Sequence, residues 1–153
     1  MDAAKWTDIV SAVSAAVSAL AVIVAMWQLR ATKIIHQLEF EDSLDKEYRD
    51  LVARIPTKAL IGSGLSPVEY AQAFDEFYRY FDLCNQQIIL RMRKRIGQDV
   101  WSEWCCGIAY NIEKLPAFKR AWEDIKDRSD SFKEILRLQA EKFLVDPLKW
   151  TRT

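Results

Sequence analysis

Residues 9–27 read IVSAVSAAVSALAVIVAMW, and none of them carries a charge. About 19 uncharged positions in a row let a helix cross a hydrocarbon core of roughly 30 Å. Trp6 and Trp27 bracket the run, about 21 residues or roughly 31 Å apart along a helix, which places one indole at each membrane interface. Arg30 and Lys33 follow at once and complete a set of interface anchors with the two tryptophans. The pattern predicts a single transmembrane helix near the N-terminus.

Two other origins of such a run are less well matched. A cleaved signal peptide has a basic start, an apolar centre of about 7–15 residues and a small-residue cleavage site. Here the start is MDAAKWTD, nearly balanced in charge, and Met26-Trp27-Gln28-Leu29 is a poor cleavage context. A buried core helix fits less well with flanking tryptophans and an unbroken lack of charge. Orientation follows from the excess of Lys and Arg. The N-terminal side offers Lys5 beside Asp2 and Asp8, whereas Arg30 and Lys33 stand immediately after the run. That balance predicts the N-terminus outside and the C-terminal domain in the cytoplasm. Cys84, Cys105 and Cys106 are an odd set with two adjacent members, not a disulfide framework, and they suit a reducing compartment.

Outward from the span, the chain divides into a tail and transmembrane helix at 1–29, a juxtamembrane stalk helix at 30–55 and a helical domain at 56–153. The whole chain has 153 residues and net charge zero. This neutrality argues against a general nucleic-acid binder, which carries a basic excess. No alternation of apolar and polar residues persists long enough for a strand, and hairpin dipeptides are absent. Nothing breaks a helix from Gln28 to Ile55, although the apolar stripe is irregular around Phe40. Residues 56–66 read as a loop. Ser66-Pro67-Val68-Glu69 is a capping box with proline at the first helical position, opening a helix to about Ile96. Further helices are expected at 99–114, from Pro116 through Ile125, and from a second capping box at Ser131–Glu134 to about Val145. The fold class is all-α: a transmembrane helix continuing into a stalk, then a small antiparallel helical bundle.

Three features invite a function. Inside the span, Ser11, Ala15, Ser18 and Ala25 share one face with little side-chain bulk, which lets two membrane helices approach closely. The reading is self-association into a homo-oligomer; the plainer one is an alanine-rich monomeric anchor. Arg91, Arg93, Lys94 and Arg95 form a basic cluster able to touch lipid headgroups. Yet at 100° per residue they point around the helix, near a C-terminus where positive charge is favourable anyway. Asn85 and Asn111 fall on apolar stripes, where each fixes helix register by bonding a neighbour or else lines a ligand pocket. Gly107, four residues before Asn111, permits close backbone approach. Trp101, Trp104, Phe118 and Trp122 are expected in one core. Signals for catalysis are thin: His36 is the sole histidine, Cys105-Cys106 lacks the spacing of a zinc or thioredoxin motif, and Gly62-Ser63-Gly64 lacks the lysine of a phosphate loop. No cofactor or metal ion is called for.

The stretch Tyr80-Phe81-Asp82-Leu83-Cys84-Asn85-Gln86-Gln87, followed by Arg95-Ile96, Trp101, Trp104, Gly107-Ile108, Asn111, Leu115-Pro116-Ala117-Phe118 and Ala121-Trp122, resembles a group of small bacterial membrane proteins of unknown function. These pair an N-terminal span with a cytoplasmic helical domain, and some are linked to phage abortive infection. The resemblance implies a bacterial inner-membrane location and a phage-defence effector or sensor acting through protein–protein contacts. It implies no catalysis. The alternative is a membrane-tethered adaptor or regulator of a membrane complex with no defence role, and a membrane-tethered enzyme ranks last.

Overall fold

The computed structural model describes residues 3–128 and 130–150, with side chains throughout these except at 3–5, 7–10 and 12. Asp2, Lys5 and Asp8, on which the N-terminal charge balance rests, lie outside the described side chains. Every α-helix expected from the sequence is present, and no strand occurs among the described residues. The chain forms two compact units, residues 1–39 and 40–153, and helix α1 (Ala3–Val52) belongs to both.

The first unit consists of the N-terminal part of α1. Every side chain from Val13 to His36 is exposed, including Trp27 at 72% and Leu29 at 71%. The helix is long and apolar enough to cross a membrane, and none of its most apolar stretch is buried by protein.

The second unit begins at Phe40. The reason is burial. Glu41, Leu44, Leu51 and Ile55 recur at helical spacing and are all buried, so the distal half of the expected stalk is part of the domain core. The irregularity near Phe40 does not interrupt α1. It marks where the buried face starts, since Ile34, Ile35 and Leu38 of the same sequence stripe are exposed. Residues 56–66 are not all loop: α2 (Thr57–Leu60) sits there and ends on Gly62 with φ +79°. The capping box of α3 (Pro67–Met92) forms as the sequence predicts, with Glu69 N–H donating to Ser66 Oγ and Ser66 N–H to Glu69 Oε2. Next come α4 (Gln98–Lys114), α5 (Pro116–Ile125) and α6 (Lys133–Ala140).

Two helices end earlier than expected. Helix α3 stops at Met92 instead of about Ile96, because Lys94 adopts φ +59°, with Arg95 N–H donating to Leu90 O at 3.0 Å and Lys94 N–H to Arg91 O at 2.9 Å. Helix α6 stops at Ala140 instead of about Val145 by the same device at Lys142, φ +53°, with Phe143 N–H on Leu138 O at 2.9 Å. Both are the two-bond C-terminal lock usually built on glycine, here on lysine. The second capping box does not form. The N-cap of α6 falls on Phe132, which has no side-chain acceptor, after a 3-10 turn at Asp130–Phe132.

Helix α3 is the centre of the bundle, packed by α5, α6 and both 3-10 turns, while α4 packs on α5. A chain of rings runs through it: Phe77 and Tyr80 each lie 5.0 Å from Phe118, Phe81 lies 5.1 Å from Trp122, and Trp122 lies 6.0 Å from Phe132. Trp101, Phe118 and Trp122 are buried in this cluster as expected, and Trp104 packs against it while keeping one side open.

Candidate functional site

The domain holds a cleft of about 330 Å³ where the end of α1 faces α3 and α4. That volume lies at the low end for small-molecule sites. Helix α1 supplies Asp45, Tyr48 and Arg49; α3 supplies Tyr80, Cys84 and Gln87; α4 supplies Glu103, Trp104, Gly107 and Asn111. Contacts inside the domain hold α1 against α4 here. Glu41 Oε1 accepts from the Gly97 N–H at 2.6 Å, at the N-terminus of α4 where a carboxylate is favoured by the helix dipole. Asp45 Oδ1 accepts from Trp104 Nε1 at 3.1 Å, and the Arg95 guanidinium lies 4.9 Å from the centre of the Phe40 ring.

The polar groups at the cleft floor are neutral. Asn111 Nδ2 donates to the Tyr80 hydroxyl at 2.8 Å. Burial and the neighbouring Cys84 thiol push the Tyr80 hydroxyl well above its ordinary value. Burial pushes the Cys84 thiol up to about 12. Burial, Cys84 and Asp45 likewise raise Tyr48, against the opposing contact of Asn111. Gln87 also lines the cleft and is only 4% exposed as a residue. Charge is confined to Asp45, Arg49 and Glu103.

Asn111 therefore has both roles weighed for it: it bonds a neighbour and it lines a pocket. Asn85 has the structural role alone. Its Nδ2 donates to Ser131 O at 2.8 Å and its Oδ1 accepts from Ile135 N–H at 3.3 Å. Asn85 thus supplies from α3 the acceptor that the first turn of α6 lacks locally. Gly107 does not serve close packing as expected, since a Cβ built there meets nothing within 4 Å. It leaves space in the cleft wall instead. Gln87, Tyr48 and Asp45 were missed from the sequence, where each reads as an ordinary position on its helix.

The basic cluster separates. Arg91 is buried and is no lipid contact. Its Nε and Nη2 donate to Asp146 Oδ1 and Oδ2 at 3.1 and 2.6 Å, its Nη1 donates to Ile96 O at 2.8 Å, and Gln98 Oε1 accepts from Nη2. Arg93, Lys94 and Arg95 are exposed, with Arg95 lying over the Phe40 ring. In the span, Ser11, Ala15, Ser18 and Ala25 are all exposed, and Ser18 Oγ donates back to Ser14 O at 2.9 Å, so its proton is already engaged within the helix. Trp6, Trp27, Arg30 and Lys33 are exposed.

His36 Nδ1 meets Glu39 Oε2 at 3.3 Å on an exposed helix surface, in the first unit. Cys105 lines a separate hollow of about 200 Å³ with Phe143 and Asp146; burial, then Cys106 and Asp146, raise its thiol to about 11, which keeps it protonated. Among the described residues no three His, Cys, Asp or Glu side chains gather as a metal site. No family model matches the chain, and neither a curated protein nor a solved structure matches it.

Proposed function

We propose that this chain is a single-pass protein of a bacterial inner membrane, with its N-terminus outside and its helical domain in the cytoplasm, working through protein–protein contacts as a phage-defence effector or sensor. The observation that carries the membrane reading is the run from Val13 to Leu29, uncharged and exposed at every position. In water such a surface is strongly unfavourable; in lipid it is the expected one, and every backbone group within it is satisfied by the helix. The defence role rests on the resemblance of residues 80–122 alone. Self-association through Ser11, Ala15, Ser18 and Ala25 belongs to the same proposal, with the three exposed basic residues as lipid contacts.

The cysteines provide the test. Cys106 is exposed, whereas Cys84 and Cys105 are buried. A membrane-impermeant maleimide should leave Cys106 unlabelled in intact spheroplasts and label it after permeabilisation. Labelling in intact spheroplasts overturns the orientation; recovery of the protein in the soluble fraction overturns the anchor. Expression followed by phage challenge, with cell survival and membrane potential as readouts, tests the defence role.

A further inference from the structure

Helix α1 carries an apolar seam that does not stop where the uncharged run stops. Alternate steps of four and three from Val13 lead through Leu20, Trp27, Ala31 and Ile34 to Leu38, and no stop is polar. This is the a/d spacing of a left-handed coiled coil, held over about three and a half heptads. Inside residues 9–27 an apolar seam distinguishes little, because every neighbour is uncharged. Beyond Trp27 it distinguishes sharply. The seam keeps Ala31, Ile34 and Leu38, while Thr32, Lys33, His36 and Gln37 occupy positions beside and behind it. Ile34 and Leu38 are 61% and 55% exposed, so nothing in the chain covers them. Lipid does not cover them either. Leu38 stands about 11 residues past Trp27, or roughly 16 Å along the helix. The headgroup layer extends only about 5–8 Å beyond the hydrocarbon on each side. With Trp27 at the interface, Ile34 and Leu38 project into water.

The occupant that fits is a second copy of this chain. Copies of a single-span protein insert the same way, so their seams lie parallel and at the same depth, and each apolar layer meets its own twin. The edges of the seam agree with this. In the turns beyond Trp27 the flanking positions hold Arg30 and Gln37 on one side and Gln28 and Ile35 on the other, so no like charges oppose each other in a parallel pair. Arg30 of one copy then faces Ile35 of the next and lays its aliphatic stem along it. We propose that α1 docks against a second copy as a parallel coiled coil along this seam, with Ala31, Ile34 and Leu38 as its water-side layers. The seam lies on the opposite side of α1 from Ser11, Ala15, Ser18 and Ala25, so the two faces are separate contacts. The inference rests on the membrane reading, which sets the copies parallel, and is independent of the defence role.

The test is disulfide crosslinking of the full-length chain in membrane vesicles, with copper–phenanthroline as oxidant. The background is Cys106→Ser, because Cys106 is exposed while Cys84 and Cys105 are buried. Single cysteines are placed on the seam by Ala31→Cys or Leu38→Cys, and on the opposite face by His36→Cys. The two seam variants should give a product of twice the chain mass, and His36→Cys roughly tenfold less of it. Ile34→Glu with Leu38→Glu puts like charges into the water-side layers. It should lower crosslinking at Ala31→Cys roughly tenfold. The chain should stay in the membrane fraction with an unchanged thermal midpoint, because both side chains are exposed. The proposal is overturned if the seam variants crosslink no better than His36→Cys, if their product has another mass and so a different partner, or if the double Glu variant crosslinks like its parent. Crosslinking at Ser18→Cys alone would overturn this seam and leave the small-residue contact standing. Recovery of the chain in the soluble fraction would overturn the membrane reading and this inference with it.

Discussion

Replacing Asp146 with alanine should cost the helical domain about 3 kcal/mol, within the 3–5 kcal/mol expected when one partner of a buried ion pair is removed. The lower end applies because the Asp146 side chain keeps 17% of its surface exposed, against 5% for Arg91. The loss has a definite physical source. After the change the buried Arg91 guanidinium retains only Ile96 O and Gln98 Oε1 as acceptors. The Leu148 N–H, which Asp146 Oδ1 accepts at 2.9 Å, also loses its cap. For a unit of roughly 115 residues with an unfolding entropy of about 2.1 cal/mol/K per residue, 3 kcal/mol corresponds to a fall in Tm of about 12 °C. The assay is thermal unfolding of the full-length chain in detergent, followed by near-ultraviolet circular dichroism of the tryptophans. Arg91→Met with Asp146→Leu should recover most of the loss, because it replaces both buried polar partners by apolar ones. A fall below about 4 °C for Asp146→Ala, about 1 kcal/mol on the same entropy, would refute the buried clasp.

The same pair sets an acid limit. Burial acts to raise the Asp146 carboxyl, but the Arg91 hydrogen bonds, the Leu148 N–H and the charges of Arg91 and Lys149 outweigh it and hold the group below its ordinary value of 3.8. The folded pKa is therefore below the unfolded one. The stabilisation is fully present above about pH 4 and is lost as pH falls through the folded value. Asp146→Asn should flatten the decline of Tm below pH 4, and an unchanged decline would assign the acid sensitivity elsewhere.

Two further outcomes are expected. Lys94→Gly and Lys142→Gly should each raise stability by about 0.5–1 kcal/mol, because lysine at positive φ carries a steric cost that glycine lacks; urea unfolding would show it, and a loss in both variants would contradict the left-handed caps. Ala15→Leu with Ser18→Leu should leave membrane insertion intact but weaken crosslinking between copies through that face, since the added bulk fills the small-residue seam; wild-type crosslinking there would remove that face as a contact.

What the sequence made legible follows from range. The long apolar helix, the capping box at Ser66, the proline start at Pro116 and the helical periodicity of α3 to α5 are all set by residues within a few positions of one another. Each could be read from the chain. The early ends of α3 and α6 could not, because lysine gives no sign of a positive φ. Asn85 caps a helix 50 residues further on, and nothing local at Ser131 announces that its own capping box yields to that buried amide. Arg91 looks like its neighbours Arg93, Lys94 and Arg95, and only Asp146, 55 residues away, distinguishes it. The cleft shows the same limit most clearly. Periodicity places Tyr48, Gln87 and Asn111 each on a helix face but does not say which faces meet. Gln87 follows Gln86 in an Asn-Gln-Gln run, yet Gln86 is exposed and Gln87 is buried. That contrast arises only when α1 closes over α3 and α4. Burial at position 87 is therefore a property of the assembled domain and not of the helix that carries it, and no pattern within that helix could have announced it.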